Sequence, residues 1–407
     1  MPSRRSISKL LLILFVALAP ILMVSVSDAR SDAGFRQWIV DFYPVAARHG
    51  IRKATYDRAF ARVRTPDPEV LRKARFQPEF RQDPWSYVDT RVHDEAVAQG
   101  RRLARRHART LAAIERRYGV ERSVLLAIWS VESNYGDVFN YPDRLHYVPR
   151  ALATLAYADA RRAKFARSQL IATLKILQSG DITRRDLSGS WAGAMGHTQF
   201  IPTSYLAFAV DFDGDGSRDI WRSVPDALAT AANLLRQNGW KTGQTWGYEV
   251  RAPGKARRHV GSSKSLAQWA ALGFTRPNGR GFPRPGERAV LKMPAGANGP
   301  AFLMVRNFSV LKSYNNADTY ALTVGLLADR IAGYPGLRQT WRKPDGVLSM
   351  DERREIQVHL RALGYYSGKI DGNIGSGSQL AIRTFQSRRG LTPNGVPSHD
   401  LLDTLRR

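Results

Sequence analysis

The segment Ala127-Ile-Trp-Ser-Val-Glu132-Ser-Asn-Tyr-Gly136 carries the residue type and placement best suited to chemistry in this chain. Glu132 closes an apolar run, Val-Leu-Leu-Ala-Ile-Trp, that reads as one helix over residues 120–133. A carboxylate at the end of such a helix is costly to bury when ionised. Burial raises its pKa and keeps it protonated near neutral pH. A general acid needs that property to protonate a leaving oxygen, as in glycoside cleavage. Ser133, Asn134 and Gly136 allow the helix end to open towards a cleft. The same pattern also describes a helix-end glutamate facing water, so this segment alone does not decide.

Two further segments have composition suited to a site. Gly189-Ser-Trp-Ala-Gly-Ala-Met-Gly-His-Thr-Gln-Phe-Ile-Pro-Thr-Ser-Tyr205 contains Gly193 and Gly196, which permit close approach of backbone to a ligand. Trp191, Gln199 and Tyr205 in it can stack on a sugar or hydrogen-bond to one. His197 is read as structural. Asp211-Phe-Asp-Gly-Asp-Gly-Ser-Arg-Asp219 resembles the start of an EF-hand loop: Asp211, Asp213 and Asp215 stand at positions 1, 3 and 5, and Gly216 at the sharp turn. These hard oxygen ligands suit a structural Ca²⁺, with the Ser217 carbonyl as a further ligand. Position 12 is Arg222 rather than Glu. The competing reading is an Asp/Gly turn that binds nothing.

The elements that must position these segments read as mainly α. Residues 30–92 suggest short helices broken by Pro66, Pro68, Pro78 and Pro84. Residues 93–117 read as one Arg-rich helical stretch, residues 151–178 as two helices, and residues 317–332 as another. Residues 241–312 differ: Gly, Pro and short apolar runs predict a small, loop-rich β insertion. Residues 335–348 lack any period and read as a linker. Residues 349–407 form a last unit with amphipathic helices at 355–363 and 379–390, enough to fold alone marginally.

Together the glutamate and glycine-rich segments resemble the lytic transglycosylases related to membrane-bound lytic murein transglycosylase B. The resemblance runs from about Phe35 to Gly336. It includes Tyr87-Val-Asp-Thr-Arg-Val92, Ala153-Thr-Leu-Ala-Tyr157, Trp221-Arg-Ser-Val-Pro-Asp-Ala-Leu228 and Tyr314-Asn-Asn-Ala-Asp-Thr-Tyr-Ala-Leu322. It implies a lysozyme-like α+β domain that cuts the β-1,4 bond between N-acetylmuramic acid and N-acetylglucosamine. The family's catalytic glutamate falls on Glu132, and its substrate-binding positions on Ser190, Gln199, Tyr314, Asn315 and Tyr320. It also implies that Asp226 closes a longer calcium loop. The implied mechanism uses Glu132 as acid and then base, with the substrate's own N-acetyl group in place of a second carboxylate. No cofactor is then required for catalysis, and no second carboxylate stands near Glu132 except Asp137, read as past the helix end. Hydrolytic muramidase and non-catalytic wall-binding scaffold are the competing readings.

The last unit resembles three-helix peptidoglycan-binding modules. The match lies in Ile356-Gln357, Leu360, Leu363-Gly-Tyr-Tyr366, Gly368, Ile370-Asp-Gly372, Ile374-Gly375, Ala381, Phe385-Gln386, Gly390-Leu391 and Gly395. Most of these are fold-making. Tyr365, Tyr366 and Asp371 are candidate contacts.

The bulk properties set the compartment and the partners. Arg4, Arg5 and Lys9 precede an uncharged run, Leu10 to Val26, and Ser27 and Ala29 fit the small residues before a cleavage site. Residues 1–29 are expected to be a cleaved signal peptide rather than a membrane anchor, placing the protein in the periplasm with no stable membrane insertion. The chain has no cysteine, which excludes lipoprotein acylation, disulfides and thiolate chemistry. The formal net charge of +27 falls to +25 without residues 1–29. Export makes peptidoglycan strands, and not nucleic acid, the expected polymer partner of this charge. The spacing of the eight histidines offers no His-Glu-x-x-His metal motif. The protein is expected to act as a monomer.

Overall fold

The computed structural model describes residues 21–75, 83–343 and 346–407. Most of the expected signal peptide (residues 1–20), and Pro78, lie outside the described residues. The chain is mainly helical. α1 (Ile21–Arg48), α2 (Lys53–Phe60), α3 (Pro68–Arg75) and α4 (Pro84–Asp89) lead into α5 (Asp94–Arg106), α6 (Ala108–Tyr118) and α7 (Arg122–Ser133). α8 (Val148–Ala158), α9 (Ala163–Ser179), α10 (Pro202–Phe208) and α11 (Val224–Gln237) follow. A two-stranded ribbon of β1 (His146–Tyr147) and β2 (Ser188–Gly189) closes one edge. Among the described residues no helix is long and apolar enough to cross a membrane.

α7 is the centre of the main core. Leu125, Leu126, Ala127 and Ile128 are all fully buried, so the helix is apolar on every side up to its last turn. It packs against α14 (Asp318–Ile331), α5, α6 and α11. At roughly 1.5–3 kcal/mol for each large aliphatic side chain withdrawn from water, this helix is anchored well enough to hold a polar residue at its end. Gly100 of α5 permits close approach: a Cβ there would lie 2.6 Å from the Tyr135 hydroxyl and 2.7 Å from Ile331.

The expected β insertion is present but shorter. β3 (Gly247–Val250), β4 (Ser263–Ser265), β5 (Arg288–Lys292) and β6 (Ala301–Met304) form an antiparallel sheet in the order β3-β6-β5-β4, with α12 (Leu266–Ala271) lying between β4 and β5 in sequence. Trp269, Phe274, Leu291 and Leu303 give it a core of its own. From Arg306 the chain is helical again, as α13 (Arg306–Tyr314), so the end of the 241–312 stretch belongs to the helical domain. Residues 93–117 make two helices rather than one. They break at His107 (φ −104°, ψ 24°), where the ring meets Trp129 edge-on at 6.0 Å.

The aperiodic stretch after α14 is not free. Glu249 accepts from the backbone amides of Arg338 and Gln339 at 3.0 and 2.7 Å, and Lys343 pairs with Asp89 at 2.6 Å. Beyond it stand α15 (Met350–Ala362), α16 (Ser376–Arg388) and α17 (His399–Arg406) around Leu348, Ile356, Leu360, Ile382, Phe385 and Leu402. A capping box between Ser349 and Glu352 starts α15. Asp371, a candidate contact in the sequence, holds its own turn by accepting from the Asn373 amide at 2.8 Å.

Candidate active site

Glu132 sits in the last turn of α7, where the chain leaves the helix through three successive left-handed residues. These are Asn134 (φ 49°), Tyr135 (φ 58°) and Gly136 (φ 86°). Such a conformation is costly at Tyr, and it persists because the surroundings hold it. The Tyr135 hydroxyl donates to Ala96 O at 2.8 Å, and its ring meets Trp129 edge-on at 5.7 Å. The sharp exit leaves Glu132 at the helix end with apolar core behind it.

One partner reaches the carboxylate from far away in sequence. Tyr320, buried in the first turn of α14, donates its hydroxyl to Glu132 Oε1 at 2.6 Å. Its ring stacks on Tyr314 (6.2 Å between centroids, 12° between planes), and the Tyr314 hydroxyl donates to Thr198 O at 2.5 Å. Burial pushes the Glu132 carboxyl up to about 7, although the Tyr320 hydrogen bond and the nearby Arg91 both act to lower it. Burial likewise holds the Tyr314 and Tyr320 hydroxyls well above their ordinary range, so both stay protonated donors. The site therefore presents a carboxylic acid poised near neutrality beside two phenols.

Of the residues singled out in the sequence, Glu132, Tyr314 and Tyr320 are joined by these direct contacts. Ser190 and Gln199 lie on the glycine-rich loop, with side chains turned onto its backbone. Ser190 Oγ accepts from the Ala194 amide at 3.0 Å, and Gln199 (φ 50°) donates through Nε2 to Gly196 O at 2.8 Å. Asn315 is exposed just past α13. Tyr205 is fully buried and donates to Arg218 O at 2.6 Å, so it offers no face to a sugar. Trp191 is half-buried, with the Arg162 guanidinium 5.7 Å from its ring.

Asp137 opens a short 3₁₀ turn beyond the left-handed exit. Burial would raise its pKa, but hydrogen bonds from Lys369, Asn140 and Asn134 outweigh burial and hold it below the usual carboxylate range. It is thus ionised and engaged, the opposite of Glu132. Sequence reading missed Arg91, whose guanidinium lies 3.7 Å from the Tyr87 ring centroid near Glu132. It also missed Asp329, pushed up to about 7 by burial against an opposing hydrogen bond from Trp246 Nε1. Asp329 lines a cavity of about 480 Å³ between α4, α14, the sheet and residues 335–343. Glu132 does not line that cavity.

The acidic loop brings three of its five candidate ligands together. Oxygens of Asp211, Asp213 and Asp226 all lie within 4.8 Å of one another. Asp226, buried in the first turn of α11, accepts from the Phe212 and Asp219 amides at 2.7 and 2.8 Å. Burial raises its pKa, and the neighbouring Asp213 adds to the rise. Asp215 is not part of that cluster; its Oδ1 accepts from the Ser217 amide at 2.8 Å. Arg222, at the position where an EF-hand carries Glu, pairs with Asp186 and, at 4.0 Å, with Asp219 at the end of the loop. Three carboxylates converging at this spacing fit a divalent cation.

Comparison with known proteins places this architecture. The Transglycosylase SLT domain family matches residues 34–329, and the Putative peptidoglycan binding domain family matches residues 349–405. The chain belongs to the transglycosylase SLT domain family. It is 33% identical over 218 residues to Membrane-bound lytic murein transglycosylase B of Escherichia coli (strain K12), an alignment covering 53% of this chain and 58% of that protein. The chain thus spans little more than half the length of that curated relative. The crystal structure of SltB3 from Pseudomonas aeruginosa in complex with NAG-anhNAM-pentapeptide matches with a TM-score of 0.72 and 45% identity, over 92% of this chain and 99% of that one. The Escherichia coli lytic transglycosylase SLT35, solved in complex with calcium, matches with a TM-score of 0.60 and 25% identity, over 74% and 92% of the two chains. The lysozyme-like helical fold and the C-terminal helical module expected from the sequence agree with these relatives.

Proposed function

We propose that this protein is a lytic murein transglycosylase. It cleaves the β-1,4 bond between N-acetylmuramic acid and N-acetylglucosamine of peptidoglycan without consuming water. The observation that carries this reading is Glu132, a carboxyl held near pH 7 by burial and hydrogen-bonded by Tyr320. Glu132 protonates the glycosidic oxygen as the bond to C1 breaks. The substrate's N-acetyl oxygen meets the developing positive charge at C1. Glu132, now ionised, takes the proton of the C6 hydroxyl, and that oxygen closes onto C1. One proton is given and one regained, so the acid is reset and the product ends in 1,6-anhydromuramic acid. One carboxyl suffices, in keeping with Asp137 being engaged elsewhere. The working place is the periplasm, reached by the signal at residues 1–29, and the C-terminal module keeps the catalytic domain near its polymer.

Digestion of purified sacculi by the full-length protein, followed by mass spectrometry of the released fragments, tests the reading. Anhydro ends, lighter than hydrolytic products by one water, are expected. Reducing ends would identify a muramidase instead, and no release would identify a wall-binding scaffold.

A structural Ca²⁺ belongs to the same reading, held by Asp211, Asp213 and Asp226. It would offset most of the charge of the three carboxylates and fasten the loop to the start of α11, with no part in the bond cleavage. Melting of the purified protein is expected to fall by several degrees on adding a chelator and to recover with excess Ca²⁺. A melting temperature indifferent to both would remove the ion from the account.

A further inference from the structure

We infer that His197 is the positioning residue of the glutamate: through Trp129 and Ser133 its ring and backbone clasp the helix end that carries Glu132. This rests on the proposed function, since the consequence is read through Glu132. Five contacts make the clasp. His197 Nδ1 accepts from Trp129 Nε1 at 3.1 Å, and Trp129 lies one helical turn before Glu132. The His197 carbonyl accepts from Ser133 Oγ at 2.6 Å, and the same Oγ accepts from the Gly136 amide at 3.0 Å. The ring lies so close to Gly136 that a Cβ there would sit 2.6 Å from both Nδ1 and Cε1. Its far side meets Phe139 edge-on at 4.9 Å.

These contacts fall on both sides of Glu132 and on the strained left-handed turn. They also close a circuit. Glu132 bonds Tyr320, Tyr320 stacks on Tyr314, and Tyr314 bonds the Thr198 carbonyl. His197 precedes Thr198 and returns to Ser133, the neighbour of Glu132. One dipeptide of the glycine-rich loop thereby fixes the carboxylate from the helix side and from the phenol side.

The chemistry of the clasp defines the ring's state. An indole N–H only donates, so Nδ1 must be a bare acceptor and the ring proton must lie on Nε2. An imidazolium would set two donors against each other. Burial, which lowers the His197 pKa to about 4, keeps the ring in the required neutral form.

Two substitutions separate positioning from packing. His197→Phe keeps a ring but removes the acceptor, and His197→Asn returns an acceptor oxygen near the place of Nδ1. In the full-length protein acting on a defined peptidoglycan tetrasaccharide, His197→Phe is expected to lower kcat about 30-fold or more with KM within about threefold, the scale of a misplaced catalytic group. The pH at which kcat declines should move, and His197→Asn should recover most of the loss. Nitrogen NMR of the wild-type ring is expected to report a proton on Nε2 alone at every pH from about 5 to 8.

Unchanged kcat and pH profile in His197→Phe would overturn the inference. So would equal damage in both variants accompanied by an equal fall in melting temperature, or a ring that titrates near its ordinary pKa. If His197→Phe does not fold, the asparagine variant and the NMR result decide. If the wild type releases no anhydro product, the proposed function fails, while the NMR result still judges the clasp.

Discussion

Glu132→Gln is expected to lower the rate of release from purified sacculi at least ~100-fold while leaving the protein folded. Glutamine has the shape of the protonated acid, and its Oε1 can still accept from Tyr320, whose hydroxyl lies 2.6 Å from that position in the wild type. What disappears is the proton that leaves with the aglycone oxygen and the base that recovers one from the C6 hydroxyl. Asp137 is not placed to substitute, because the left-handed turn separates it from Glu132 and Lys369 holds it ionised. Near-native digestion by this variant would sink the assignment of Glu132.

The same substitution is expected to stabilise the protein in alkaline solution. The Glu132 carboxyl is raised from 4.5 to about 7 on folding. Between those values the native state holds a proton that the unfolded chain releases, so stability falls as pH rises through that window. Below about 4.5 both states are protonated and no penalty exists; above about 7 it is complete. At 1.36 kcal/mol per pH unit, the full effect is about 3 kcal/mol. Glu132→Gln has nothing to ionise. Its denaturation midpoint in urea should exceed the wild-type value at about pH 8.5, with the gap closing towards pH 4.5. A gap that is constant with pH would mean that the carboxyl is not raised. The parallel expectation in the wild type is cleavage that declines as pH rises past about 7, where the acid loses its proton. Protein stability is thus given up at the very group that needs to hold a proton.

The character of Glu132 was legible only in part from its near neighbours in sequence. The apolar run around the helix end points to burial, the first cause of its raised pKa, but equally fits a helix-end glutamate facing water, and the other segments of the family resemblance were needed to choose. Its partners were legible only through family resemblance: Tyr320 stands 188 residues away, and no periodicity reports a contact at that distance. Tyr205 was misread because an aromatic residue beside a glycine-rich loop reads equally as ligand face or as core, and only tertiary packing puts it under Trp221. The break at His107 carries no Gly or Pro, since packing against Trp129 rather than local propensity accompanies it. The stretch at 335–343 lacks a period because its anchors are backbone amides and single side chains, which leave no trace in hydrophobic patterning. His197 looked structural, and its contacts are structural in kind; their bearing on Glu132 appears only when both segments are seen together.

The insertion's first and last strands are neighbours, and this matters for how the chain gains its fold. Gly247 pairs with Met304, Val250 pairs with Ala301, and the Val305 amide bonds Trp246 O at 3.1 Å. Asn307 then fastens the exit to the entry by donating to Lys241 O and Gln244 O at 2.9 and 2.7 Å. The excursion therefore returns to within one strand spacing of where it left, about 4.8 Å. To α11 and α13, the long detour acts as a short connection. The entropy of closing so long a loop is met by hydrogen bonds and a core that belong to the insertion itself. The effective contact order of the helical domain is correspondingly lower than its sequence separations suggest, and the length of the detour can change without loosening the helices that carry Glu132 and Tyr320.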